Sequence, residues 1–174
     1  GAGNLATNLA EALYQNGFRI VQVYSRTKEA ACALAQAIEA EYTTELSEVS
    51  RDARLYIVSL KDAAFVELLP EIVAGKEDAL LVHTAGSIPM QTFSKQREVD
   101  FRTIPFFIES NSSEDTELLK AIASVLSEKV YEATSEQRRS LHLAAVFTCN
   151  FTNHMYALAA ELLKKYNLPF DAML

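Results

Sequence analysis

Gly1-Ala2-Gly3-Asn4-Leu5-Ala6 opens the chain, and after an apolar helical repeat comes Phe18-Arg19-Ile20-Val21-Gln22-Val23-Tyr24-Ser25-Arg26-Thr27. The first six residues fit the G-x-G-x-x-G/A turn, in which small residues bring a diphosphate onto a helix N-terminus. Gly1 permits the tight turn, Gly3 lets phosphate oxygens approach the backbone, and Ala6 is small enough for the helix to pack close to a sheet. Free N–H groups and the positive end of the helix then hold the anion. Small residues at a helix start also serve plain tight packing, so the residues downstream decide between the two.

Leu5, Leu9, Ala12 and Leu13 recur at helical spacing, and Asn16-Gly17 is a usual helix C-terminal signal. The β-rich run Phe18 to Tyr24 then ends in Ser25-Arg26-Thr27, roughly where the fingerprint places its ribose reader. An Asp or Glu there would bind the adenosine ribose of NAD. Ser25, Arg26 and Thr27 instead offer two hydroxyls and a guanidinium, which suit a 2′-phosphate and hence NADP. The plainer alternative makes Arg26 a solvated residue at a helix start. The fingerprint normally follows a strand, so a strand is expected ahead of Gly1.

With 174 residues, 49% of them hydrophobic, the chain can bury a core and form one domain plus an appendage. A net charge of −7, without a basic stripe or cluster, argues against nucleic-acid or anionic-membrane partners. The apolar runs are too short to cross a bilayer, and no signal peptide is visible. Cys32 and Cys149 have no metal-ligand spacing and read as small core residues of a reducing compartment, which predicts a cytoplasmic protein without a metal site.

Beyond Thr27, helix and strand alternate. Helices are expected over Lys28 to Glu39 and Asp62 to about Ala74, with strands at Glu41 to Thr44, Arg54 to Leu60 and Ala79 to Thr84. Strands apolar on both faces and separated by helices define an α/β fold, a Rossmann-like, mostly parallel sheet with helices on both faces. Ligands of such sheets lie at the carboxyl ends of the strands. That puts Ser59, Leu60 and Lys61, and His83, Thr84, Ala85, Gly86 and Ser87, on the cofactor side with Gly1 to Ala6 and Ser25 to Thr27. Further on, a strand is expected at Ile104 to Glu109, a helix from Ser113 to about Glu128, and a short strand at Val130 to Ala133. From Ser135 to about Tyr166 runs one long helical pattern, apolar all round, which predicts burial against a partner or within a helical domain. A Rossmann-like domain over 1–133 and an α-helical C-terminal domain from 134–174 are therefore expected, with Phe170 to Leu174 opening a further helix and the domain continuing beyond it.

Leu141 to His154 reads LHLAAVFTCNFTNH, with polar residues embedded in an apolar helix. On a regular helix at about 100° per residue, His142, Val146, Cys149 and Asn153 share one stripe while Asn150 and His154 share the adjoining one. His142 and His154 lie about 18 Å apart along an unbroken helix, so both cannot touch one reacting carbon. Either these groups cap and bridge helices in a dimer core, or one delivers a proton. For the second role His142 or the Asn150/His154 pair is the candidate, because imidazole exchanges protons near neutral pH.

Taken together, GAGNLATNLAEAL, VYSRT, VHTAGS, QTFS, PFFIE and LHLAAVFTCNFTNHMYALAAELL resemble the NADP oxidoreductases with a Rossmann-like N-terminal domain and an uncharacterised helical C-terminal domain. Those are distant relatives of pyrroline-5-carboxylate reductase and of the deazaflavin-dependent NADP reductases. The resemblance spans nearly the whole chain. It implies NADP bound by Gly1 to Ala6 and Ser25 to Thr27, a substrate cleft between domains, and a homodimer built on the C-terminal helices. Two departures stand out. Related proteins carry a longer stretch between the VHTAGS-like turn and the QTFS-like strand, whereas here Ser87 reaches Gln91 through Ile88, Pro89 and Met90 alone, so residues are expected to have stood between them. Related β-hydroxyacid dehydrogenases place a Lys and an Asn four residues apart on the long helix, and this helix has no Lys before Lys164.

The leading expectation is an NADP-dependent oxidoreductase that passes hydride between the nicotinamide and a small carbonyl or imine, with Asn150 orienting the substrate. A non-catalytic NADP-binding regulator or assembly protein is the alternative, and the absent Lys favours it. A nucleotide-sugar or other phosphate binder could use the same turn, since fold alone does not fix chemistry.

Overall fold

A computed structural model of the chain describes residues 1–60, 62–76, 78–84, 93–96 and 99–173. They form two compact units, Gly1–Glu132 and Ala133–Leu174.

The first unit opens with helix α1, Asn4–Gln15, whose Leu9 and Leu13 are buried four residues apart on one face. Gly17, at φ +85°, turns the chain back in the left-handed region open to glycine. Strand β1, Gln22–Tyr24, leads to α2, Lys28–Ala37, and β2, Glu41–Thr43. After a 3-10 turn come β3, Leu55–Val58, α3, Asp62–Val73, and β4, Leu80–His83. The unit closes with β5, Phe106–Ile108, α4, Ser113–Leu126, and β6, Val130–Glu132. Each successive pair of strands is parallel, with Val23 opposite Tyr42, Ile57 opposite Val82 and Phe107 opposite Tyr131. A helix links the two strands of every pair, as parallel connections require. This Rossmann-like α/β order is the expected one, with every strand trimmed at its ends.

Two apolar clusters hold the unit together. Ala2, Val23, Leu34, Ala35 and Ile38 seat α2 on β1, and Leu9, Leu13, Phe101 and Leu126 seat α1 and α4 together, with Ile57 and Phe106 against them. Lys120 of α4 pairs with Glu117 one turn away and with Glu132 of β6.

Between the edges of β1 and β3 runs a groove of about 510 Å³, with Leu9, Leu13, Leu34 and Ile72 among its lining. The ladder bonds from Glu41 N to Val21 O and from Ser25 N to Thr43 O engage alternate residues of β1 with β2, and those from Leu80 N to Arg54 O and Thr84 N to Val58 O do the same for β3 with β4. Alternation therefore turns the backbone groups of Gln22, Tyr24, Leu55 and Ile57 toward the groove.

The second unit begins with a capping box. Thr134 accepts from the Gln137 amide while the Gln137 side chain accepts from the Thr134 amide. Helix α5, Ser135–Ala145, passes without a break into a π-helical turn, Val146–Phe151, and on into α6, Thr152–Lys165. Asn167 ends it at φ +53°, and Leu168 N returns to Leu163 O. Phe170, in a closing 3-10 turn, meets Tyr156 edge-on.

Two expectations are corrected here. The long helix is not regular: its π turn holds one residue more than an α turn, so the stripe of His142, Val146, Cys149 and Asn153 does not run straight. Nor is Cys149 a core residue of this chain: it is exposed, while Cys32 is half-buried. The apolar surface of the helix is open on the single chain, with Phe147 and Met155 56% and 64% exposed. Among the described residues no helix is long and apolar enough to cross a membrane.

Candidate nucleotide site

Helix α1 starts at Gly3, whose backbone is extended (φ −78°, ψ 179°) and which offers no side-chain cap. Its first turn holds no carboxylate. An α-helix leaves its first amides without intrahelical partners, and the first backbone bond here is from Thr7 N to Gly3 O, 2.9 Å. The amides of Asn4, Leu5 and Ala6 are therefore left for another acceptor, at the end of the helix that favours negative charge.

The two glycines meet different surroundings. A Cβ on Gly1 would lie 2.5 Å from the Ser59 carbonyl oxygen and 3.6 Å from the Leu60 side chain, whereas a Cβ on Gly3 would meet nothing within 4 Å. Gly1 is thus wedged against the chain just past β3, and Gly3 faces open space. Ala2 points the other way, 6% exposed in the α2 cluster.

Thr84, just past β4, donates its hydroxyl to Ser59 Oγ at 2.8 Å, and its amide bonds to Val58 O at 3.0 Å. Gly1, Ser59, Leu60 and Thr84 so meet at the carboxyl ends of β3 and β4, where a ligand of a parallel sheet is expected. Beside them, His83 stacks on Phe65 with ring centroids 3.7 Å apart. Ser25 and Thr27 flank the exposed Arg26 at the carboxyl end of β1, and the Thr27 amide donates to Ser25 Oγ at 3.4 Å. Nearby, burial raises the Tyr24 pKa against the opposing pull of Arg26. The expected cofactor residues Lys61, Ala85 and Gly86, and the unusual junction from Ser87 to Gln91, lie outside the described residues.

Asn4 takes a role its place in the fingerprint does not reveal. Its side-chain amide donates to Phe93 O at 2.9 Å, and Asn8 donates to Ser94 O at 3.1 Å and Asn4 O at 2.8 Å. Both tie α1 to the segment around Phe93. Ser59, which the strand-end reading puts on the cofactor side beside Leu60, accepts the Thr84 hydroxyl. His142, Asn150 and His154 all lie on the second unit and are exposed. No group of three or more His, Cys, Asp or Glu side chains fit to hold a metal occurs among the described residues.

A glycine-started, uncapped helix set at the tips of parallel strands is the arrangement of a dinucleotide-binding oxidoreductase domain. Residues 1–86 match the family described as NADP oxidoreductase, coenzyme F420-dependent, and residues 104–174 match a domain of unknown function, DUF2520. A Bacteroides fragilis protein described as a "putative NADP oxidoreductase" is 72% identical, with a TM-score of 0.84 over 99% of this chain and 73% of its own. The chain belongs to this NADP oxidoreductase family. The fold is shared by an imine reductase from Myxococcus stipitatus solved with NADP+, at 19% identity and a TM-score of 0.73, covering 99% of this chain and 67% of that one. It is shared too by a pyrroline-5-carboxylate reductase from Coxiella burnetii, at 16% identity and a TM-score of 0.62, covering 99% and 71%. A search of curated proteins gave no match.

Proposed function

We propose that the chain is an NADP-dependent reductase that passes hydride between the nicotinamide and a small carbonyl or imine. The observation that carries this reading is the open face above Gly3 at the uncapped start of α1, beside Ser59 and Thr84. A diphosphate fits the amides left there, and Arg26 at the end of β1 supplies the charge that a 2′-phosphate needs. The cofactor brings the hydride, and the chain's residues bind, orient and protonate. Gly1 to Ala6 hold the diphosphate, Ser25 to Thr27 the adenosine phosphate, Thr84, Ala85 and Gly86 the nicotinamide half, and Leu60 and Lys61 add to the cofactor side. Asn150 orients the substrate, and His154 or His142 delivers the proton. The working protein is a homodimer through the C-terminal helices, located in the cytoplasm.

NADPH oxidation against a panel of small carbonyls and imines is the direct test, with turnover of at least one as the expected result. Arg26→Ala is expected to weaken NADPH binding by about ten- to a hundredfold, the worth of a charge-assisted phosphate contact, while NADH binding stays the same. Equal losses for both cofactors would contradict the assignment of Arg26. One observation favours a non-catalytic NADP-binding regulator instead: the helix from Ser135 carries no Lys before Lys164. Calorimetric NADPH binding without turnover on any panel member would select it.

A further inference from the structure

The π-helical turn Val146–Phe151 changes which side chains line up along the second unit. Its i→i+5 bonding adds one residue to the turn, and such turns recur at functional sites. In a regular helix the eight residues from His142 to Asn150 would sweep about 800°, leaving the two roughly 80° apart around the axis. With one residue absorbed by the wide turn, the same step sweeps about 700°, within about 20° of two full turns. His154 follows four residues on, so His142, Asn150 and His154 share a stripe that a regular helix would have split.

The same correction acts on the apolar residues beside the polar stripe. Leu143, Phe147, Phe151 and Met155 are spaced by four throughout, a repeat that drifts about 40° per step on an α-helix. Yet all four are exposed, and the Phe147 and Phe151 rings lie 5.5 Å apart across the turn. The wide turn takes up most of that drift and keeps an apolar ladder beside the polar stripe. Thr148 sits at its centre, donating its hydroxyl to Ala144 O at 3.1 Å, and Thr152 donates to Phe147 O at 3.4 Å. Both hydroxyls bond back to backbone carbonyls where the winding changes, a contact that bends and loosens a helix.

The geometry points to Thr148 as a positioning residue for the reductase: it holds the π turn that brings Asn150 and His154 into line with His142 on the substrate-facing stripe. This rests on the reading above that Asn150 orients the substrate and that His154 or His142 delivers the proton.

Through-hydrogen-bond NMR couplings in the labelled protein read the turn directly. Couplings spanning five residues across Val146–Phe151 are expected in the wild type and in Thr148→Ser, and are expected to be lost in Thr148→Ala and Thr148→Val. Regular four-residue couplings in the wild type would overturn the proposal. The second readout is NADPH-linked reduction of 1-pyrroline, or of the best panel substrate. Thr148→Ala and Thr148→Val are expected to lower kcat about tenfold or more, as small misplacements of catalytic groups do, with KM for NADPH unchanged and activity restored in Thr148→Ser. Loss of the five-residue couplings with kcat intact would sink the positioning role. Asn150→Ala and His154→Ala separate the two claims: if neither lowers kcat, the reading on which the proposal rests is the one that falls.

Discussion

Gly1 and Gly3 share a motif but have different physical reasons for lacking a side chain. Gly1 is pressed on the Ser59 carbonyl, which cannot move without moving β3, while Gly3 faces open space. Gly1→Ala is therefore expected to lower the melting temperature by several degrees, the usual effect of about 1–2 kcal/mol of overpacking. Gly3→Ala is expected to leave thermal stability within about a degree yet weaken NADPH about tenfold or more, because its methyl occupies the approach of the diphosphate. Thermal melts and NADPH titrations of the two variants check both halves. The motif was legible because glycine is required wherever a backbone approaches something closely. The tether from Asn4 and Asn8 to Phe93 and Ser94 was not, since a side-chain amide at a helix start gives no sign in sequence of which distant carbonyl it will find.

Elements were read more fully than side-chain roles. Among the described residues, the α-helices and strands of the first unit lie where apolar spacing and turn residues placed them, because a parallel sheet covered by helices imposes both periodicities on the chain. The start of α5 was equally readable. Thr134-Ser135-Glu136-Gln137 has capping-box spacing, and both reciprocal bonds form. Thr134→Ala is expected to cost about 1 kcal/mol of helix stability, with Thr134→Ser close to wild type, measured by urea denaturation followed by circular dichroism. The π turn escaped notice because a helical pattern was projected at one fixed angle per residue. The four-residue spacing from Leu143 to Met155 held the signal, since no regular helix keeps such a ladder straight.

At the scale of the molecule, the apolar ladder of the second unit stays open within one chain, and exposed apolar patches of this kind mark association surfaces. Phe147→Glu is expected to raise the dissociation constant of a dimer at least a hundredfold, shifting the sedimentation coefficient from dimer to monomer. A wild type that sediments as a monomer at micromolar concentration would refute the proposed assembly. The parallel pairing of the first unit also governs the order of events in folding. Each ladder joins residues about twenty or more positions apart, Leu55 to Leu80 for instance, and a loop must lose its freedom before such a pair gains anything. The second unit is built from contacts within a few positions along one helix. Its helix can therefore form on a submillisecond timescale, while the loop from Gly1 to Gly3 must wait for the slow closure of the strands whose tips it rests on.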